Sequence, residues 1–184
     1  MNIMERSITR VGSYAPDFEL PGIDGQVHHL ARYLEQRKAV GVVFICNDCP
    51  YVCSSLDNLK QIQSRFQSQD FTLIGINSND ANQNKEDSFD NMKKFAKKNR
   101  LNFPYLWDPT QDVAQSFGIE RTMTAFLIDE LGIIRYIGNV DGSVTKPKLR
   151  RTNYLQKALS SLLAGQEISP KLTEASGTTI KWRF

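Results

Sequence analysis

Apolar residues follow two alternating rhythms along this chain of 184 residues. Unbroken runs rich in Val and Ile, at 39–45 and 71–77, read as buried strands. Between them Leu56, Leu59, Ile62 and Phe66 recur at helical spacing, which predicts a helix over 50–69 and so a strand–helix–strand unit. Upstream, 25–28 reads as a turn and short strand, and 29–37 as a short helix. Downstream, 79–88 is polar and loop-like, and Asp87 or Ser88 caps a helix running to about residue 99. A short extended piece at 103–106 precedes a short helix at 112–117, which Gly118 stops. Segments 123–129 and 133–138 flank Glu130-Leu131-Gly132 and predict a β-hairpin. The last predicted helix is 154–163, ended by Gly165, while 168–184 shows no clear periodicity and 180–184 is expected to lie against the domain. No internal repeat interrupts this order. Strands that alternate with helices and close on a hairpin predict an α/β fold, a central mixed sheet flanked by helices.

Composition fits this picture. A 40% hydrophobic content over this length supports one domain spanning 1–184, with 168–184 as a tail packed on it or trailing from it. The opening residues 1–6 hold no apolar stretch of signal-peptide length, and no segment approaches the roughly 20 apolar residues of a membrane span. The expectation is a cytoplasmic protein without a membrane partner. The net charge of +3 comes from 23 basic and 20 acidic residues spread along the chain. No segment interleaves basic and aromatic residues, so a nucleic-acid partner is not expected. Lys146, Lys148, Arg150 and Arg151 read as a solvated helix start, Arg121 as surface charge, and His28 and His29 as exposed turn residues.

The three cysteines change the picture most, because all of them fall in the run Cys46-Asn47-Asp48-Cys49-Pro50-Tyr51-Val52-Cys53. Cys46 and Cys49 sit where the strand turns into the helix. There the free N–H groups and the positive end of the helix dipole favour a thiolate. A C-x-x-C pair closes a disulfide with little backbone movement, so one sulfur can attack and the other resolve. Three cysteines clustered in this way do not form the framework of a secreted protein, whose bridges join distant segments. The first cysteine of such a turn is expected to be the more exposed and the faster to alkylate. Cys53 falls on the same helix face four residues after Cys49, and is read as a core residue ahead of a third, resolving thiol. Asp48 is read as an exposed turn residue that tunes the pair electrostatically, and Tyr51 as a shield or packing residue.

Several motifs together resemble a known family. Gly12-Ser13-Tyr14-Ala15-Pro16-Asp17-Phe18-Glu19-Leu20 with Asp24-Gly25 is similar to the opening of the redoxin and peroxiredoxin branch of the thioredoxin superfamily, the alkyl hydroperoxide reductase/thiol-specific antioxidant type. The cysteine run, Ile76-Asn77-Ser78-Asn79-Asp80, Glu86-Asp87-Ser88 with Met92, Phe103-Pro104-Tyr105-Leu106 with Asp108, and Ile180-Lys181-Trp182 resemble a peroxiredoxin-like subgroup with a CxxC motif. The resemblance implies a thioredoxin-like fold with an N-terminal redoxin extension, and thiol–disulfide or peroxide reduction. Four positions depart from the pattern. Asp48 stands where the subgroup commonly has histidine, which disfavours a thiolate and tends to make the pair more reducing. Met123, after Thr122, occupies the place of the family's cis-proline. A cis bond before a non-proline residue costs roughly 2.5–4 kcal/mol, so a trans peptide and a reshaped groove are expected. Val40 stands about where thioredoxins keep a buried acid. Finally, Gly177-Thr178-Thr179 replaces a segment that often carries a cysteine, so the resolving partner is free to have moved to Cys53.

Three functions follow from these residues. The first is a thiol–disulfide oxidoreductase in which Cys46 attacks a disulfide and Cys49 resolves it, with Asp48, Pro50, Tyr51, Thr122 and Met123 shaping the site. Its partners would be protein or small-molecule disulfides, and no cofactor is required. The second is a thiol peroxidase acting on hydroperoxides through a sulfenic acid, although the usual Pro-x-x-x-Thr/Ser-x-x-Cys run is absent. The third is a metal or iron–sulfur site held by Cys46, Cys49 and Cys53, left uncovered by the missing proline.

Overall fold

The computed structural model describes residues 9–142 and 151–184. Strand β3 (Ala39–Phe44) is buried at every position, as its unbroken apolar run requires, and it is the centre of a five-stranded sheet. On one side it pairs in parallel with β4 (Phe71–Asn77), which pairs in parallel with β5 (Tyr105–Trp107). On the other it pairs antiparallel with β7 (Thr124–Asp129), which forms the predicted hairpin with β8 (Ile134–Gly138). Alternate residues of β3 enter opposite cores. Ala39 and Val43 join the side built by α2 (Pro50–Phe66), α3 (Phe89–Lys98) and α5 (Tyr154–Leu163). Val40, Val42 and Phe44 join the side built by α1 (Leu30–Gln36) and α4 (Asp112–Phe117). The α2 residues expected inside, Leu56, Leu59, Ile62 and Phe66, are all buried.

Short and long-range elements depart from the expectation. A two-stranded ribbon, β1 (Glu19–Pro21) against β2 (Val27–His29), precedes α1, and neither strand is long enough to show alternation. Residue 123 does not begin the hairpin strand. It lies between β6 (Arg121–Thr122) and β7. The segment without periodicity contributes β9 (Thr178–Thr179), which pairs antiparallel with β6. The segment 180–184 is held against the domain: Ile180 is buried, the Lys181 carbonyl accepts the Asp80 N–H, and the Lys181 N–H donates to Asn79 Oδ1. The predicted cluster at Lys146, Lys148 and Arg150 lies outside the described residues, and Arg151 donates to the Ser54 hydroxyl. His28 and His29 are half-buried rather than exposed, engaged by Tyr33, Asp24 and Glu19. Among the described residues no helix is long and apolar enough to cross a membrane.

Candidate active site

The carboxyl ends of β3 and β4 lie side by side, so the loops leaving them meet. One is the Cys46–Cys49 turn, closed by Pro50 at the first helical position of α2 with Cys49 as N-cap. The other is the Asn-rich stretch from Asn77 to a 3-10 turn over Lys85–Asp87. A third wall comes from Thr122 and Met123, and a fourth from Thr178 on β9. Both thiols are free and each is only 2% exposed.

Hydroxyls gather on Cys49. Its Sγ lies 3.3 Å from Thr178 Oγ1 and 3.5 Å from Thr122 Oγ1, and the two hydroxyls are 2.9 Å apart. Cys46 Sγ lies farther from Thr122 Oγ1, at 3.8 Å, and carboxylate oxygens of Asp48 and Asp87 are within 4.8 Å of it. The thiols therefore titrate apart. The hydrogen bond from Cys46, then Thr122, Thr178 and the Val52 N–H, pull Cys49 down to about 4 against the opposing cost of burial. That same hydrogen bond, burial, the Cys49 charge and the Asp87 carboxylate push Cys46 well above an ordinary thiol.

Asp87 is wholly buried and belongs to a polar network under the turn. It accepts the Asn47 backbone N–H at 2.9 Å, and Asn77, Asn79 and Asn84 side-chain N–H groups at 3.1, 3.0 and 3.0 Å. Tyr105 donates its hydroxyl to Asn47 Oδ1 at 2.7 Å, and Asn84 also donates to the exposed Asp48. Asp87 is therefore not the helix cap, a task done by the Ser88 hydroxyl, which accepts the Asn91 N–H.

Three expectations are corrected. Cys46 is no more exposed than Cys49, because Thr122, Met123 and β9 roof both sulfurs. Cys53 is neither core nor a third ligand. Its neighbour Val52 turns inward, which points Cys53 to solvent, so a three-thiolate metal site does not form. The Thr122–Met123 peptide is cis rather than trans. Contacts from distant residues fix this loop: Met123 N–H donates to the Ser176 carbonyl, and Gly177 packs so closely that a Cβ there would meet the Thr122 carbonyl oxygen at 1.2 Å. Met123 is buried in the same cluster as both cysteines, so the sulfurs are covered without a proline. Arg121 is exposed, as expected, and also donates to the Gly177 carbonyl.

Sequence reasoning named Thr178 only within a run that replaces a cysteine-bearing segment, and gave Asp87 no role beyond capping and its place in a family motif. The density of Asn and Asp from residue 77 to 87, directly after a buried strand, was the available signal. For Thr178 the replaced cysteine-bearing segment was the one pointer, since its contact with Cys49 spans 129 positions. Beside the roof, Tyr51, Arg121, Asn139, Tyr154, Ser176 and Gly177 help to line a polar cavity of about 560 Å³.

The family model described as the AhpC/TSA family matches residues 11–137. The chain belongs to this family. The chain is 28% identical over 147 residues to thiol-disulfide oxidoreductase ResA of Geobacillus thermodenitrificans, covering 80% of this chain and 78% of that protein. A solved structure of an uncharacterized conserved protein from Geobacillus kaustophilus is 33% identical, with a TM-score of 0.89 over 96% of this chain and 94% of the other. A hypothetical protein from Sinorhizobium meliloti gives 29% identity and a TM-score of 0.88, with 95% of each chain covered. This AhpC/TSA member thus has the thioredoxin-like fold that its motifs imply, as does a thiol:disulfide interchange protein from Chlorobium tepidum at a TM-score of 0.64.

Proposed function

We propose that this AhpC/TSA member is a thiol–disulfide oxidoreductase in which Cys49 attacks and Cys46 resolves. The observation that carries the order of attack is the asymmetry at the sulfurs: hydroxyls and a helix N-terminus around Cys49, carboxylates around Cys46. The Cys49 thiolate displaces one sulfur of a substrate disulfide RS–SR, forming Cys49–S–SR and releasing RS⁻, which takes a proton from water. Cys46 then attacks Cys49 Sγ and loses its proton as the second RS⁻ leaves, giving the Cys46–Cys49 disulfide and RSH. An external dithiol restores the reduced pair. The deeply covered sulfurs and the adjoining polar cavity suit a small disulfide or an extended peptide better than a folded protein surface.

Trapping tests the order. With a small disulfide such as hydroxyethyl disulfide, and with the exposed Cys53 replaced by Ser in both variants, Cys46→Ser should form a mixed disulfide on Cys49 faster than Cys49→Ser forms one on Cys46. A faster mixed disulfide on Cys46 would reverse the roles. Cys49 is also followed directly by Pro50 and held as a thiolate, which favours hydroperoxides as a second substrate class. There Cys49–S⁻, ROOH and a proton give Cys49–SOH and ROH, and Cys46–SH condenses with the sulfenic acid to a disulfide and water.

A further inference from the structure

Asp87 places a buried carboxylate beside the dithiol, and the exchange chemistry above does not use it. All four of its hydrogen-bond donors are neutral: one backbone N–H and three asparagine amides. They stabilise the anion without cancelling its charge. Among the described residues no Lys, Arg or His forms an ion pair with it. Its field therefore reaches Cys46 through a dry interior, where charges act more strongly than in water. The groups facing Cys46 are Cys49 at the head of α2, Asp48 in the turn, Asp87 from the 3-10 turn, Tyr105 from β5 and the Thr122 hydroxyl from β6. None of these is a cation. Asp87 also grips the turn itself through the Asn47 N–H.

We infer that Asp87 is a positioning residue acting through Cys46: its charge holds Cys46 as the neutral thiol and its bond to Asn47 fixes the turn, so that Cys49 attacks first. The inference rests on the order of attack proposed above. It also gives the reaction a sequence. While Cys49 is a thiolate, two negative neighbours, Cys49 and Asp87, suppress Cys46. Once Cys49 is part of a mixed disulfide its charge is gone, and Cys46 is released from one of them to lose its proton and resolve.

Site-resolved alkylation of the reduced full-length protein by iodoacetamide between pH 5 and 9, read by peptide mass mapping, tests this together with the pair's reduction potential. In the unmodified protein Cys49 should label throughout and Cys46 only toward the alkaline end. In Asp87→Asn the Cys46 onset should move to lower pH, raising the Cys46-to-Cys49 labelling ratio at pH 7 about tenfold for each pKa unit regained, and the potential should rise because the thiolate-bearing reduced form is stabilised. Asp87→Glu, which keeps the charge, should restore the original ratio. An unchanged ratio in folded Asp87→Asn, or equal ratios in the Asn and Glu variants, would overturn the proposal. If Asp87→Asn does not fold, Asn84→Ala removes one donor from the carboxylate and should move the Cys46 onset to higher pH; an unmoved onset overturns the proposal equally. Failure of the underlying order is seen separately, as preferential labelling of Cys46 in the unmodified protein.

Discussion

Thr178 is a small residue with a disproportionate effect, because its hydroxyl is the nearer of the two that reach the Cys49 sulfur. A hydrogen bond to a charged atom contributes about 1.5–3 kcal/mol, so Thr178→Val should raise the Cys49 midpoint by roughly one to two pH units. Thiolate absorbance near 240 nm, titrated in acid, measures this directly. In the unmodified reduced protein the acidic transition should centre near 4 and vanish in Cys49→Ser. The same depression has a stability consequence. The folded thiol lies below the ordinary thiol value of 9.0, so the stabilisation is complete above that value and is lost as pH falls toward 4. Denaturant midpoints of the reduced protein should therefore fall from pH 8 to pH 5 more steeply than those of Cys49→Ser. Equal slopes would show that Cys49 is not held as a thiolate. At this scale the sequence was readable only in part. The C-x-x-C spacing identified the pair, but which sulfur carries charge depends on Thr122, Thr178 and Asp87, which are distant in sequence.

Strands β6 and β9, two residues each, decide whether the site is covered. Gly177 lets them approach, since any side chain there would strike the Thr122 carbonyl. Gly177→Ala should push β9 away from β6, cost about 1–3 kcal/mol by overpacking, and speed Cys49 alkylation. A urea midpoint and alkylation rate both unchanged would show that the close approach is not needed. Ile180, just beyond, is buried beneath the sheet, and Ile180→Ala should cost about 2–5 kcal/mol in the same assay. The long elements were legible from periodicity: β3, α2, β4, the β7–β8 hairpin and α5 all follow it. The two-residue strands were not, because a pair of residues has no period and their pairing is fixed only by tertiary contact.

Across the whole molecule, the apolar pattern specifies a sheet with two covered faces, and the family motifs specify its thioredoxin-like order. The terminal Ile180-Lys181-Trp182 motif and the expectation that 180–184 lies against the domain pointed the last segment back to the sheet, but not to its role as a roof over the thiols. Ending the chain after residue 175 should uncover both sulfurs, accelerate their alkylation and raise the Cys49 midpoint by removing Thr178. Unchanged rates in a folded variant would assign the cover to Thr122 and Met123. The roof also has a temporal consequence, because Thr178 follows Cys49 by 129 positions. At synthesis rates of about 5–20 residues per second, the cysteine pair is made roughly 6–26 s before the residue that shelters it. On the ribosome, then, this dithiol faces whatever oxidants surround it without its lid. Nascent chains arrested before residue 176 should accordingly react with a thiol probe faster than finished ones.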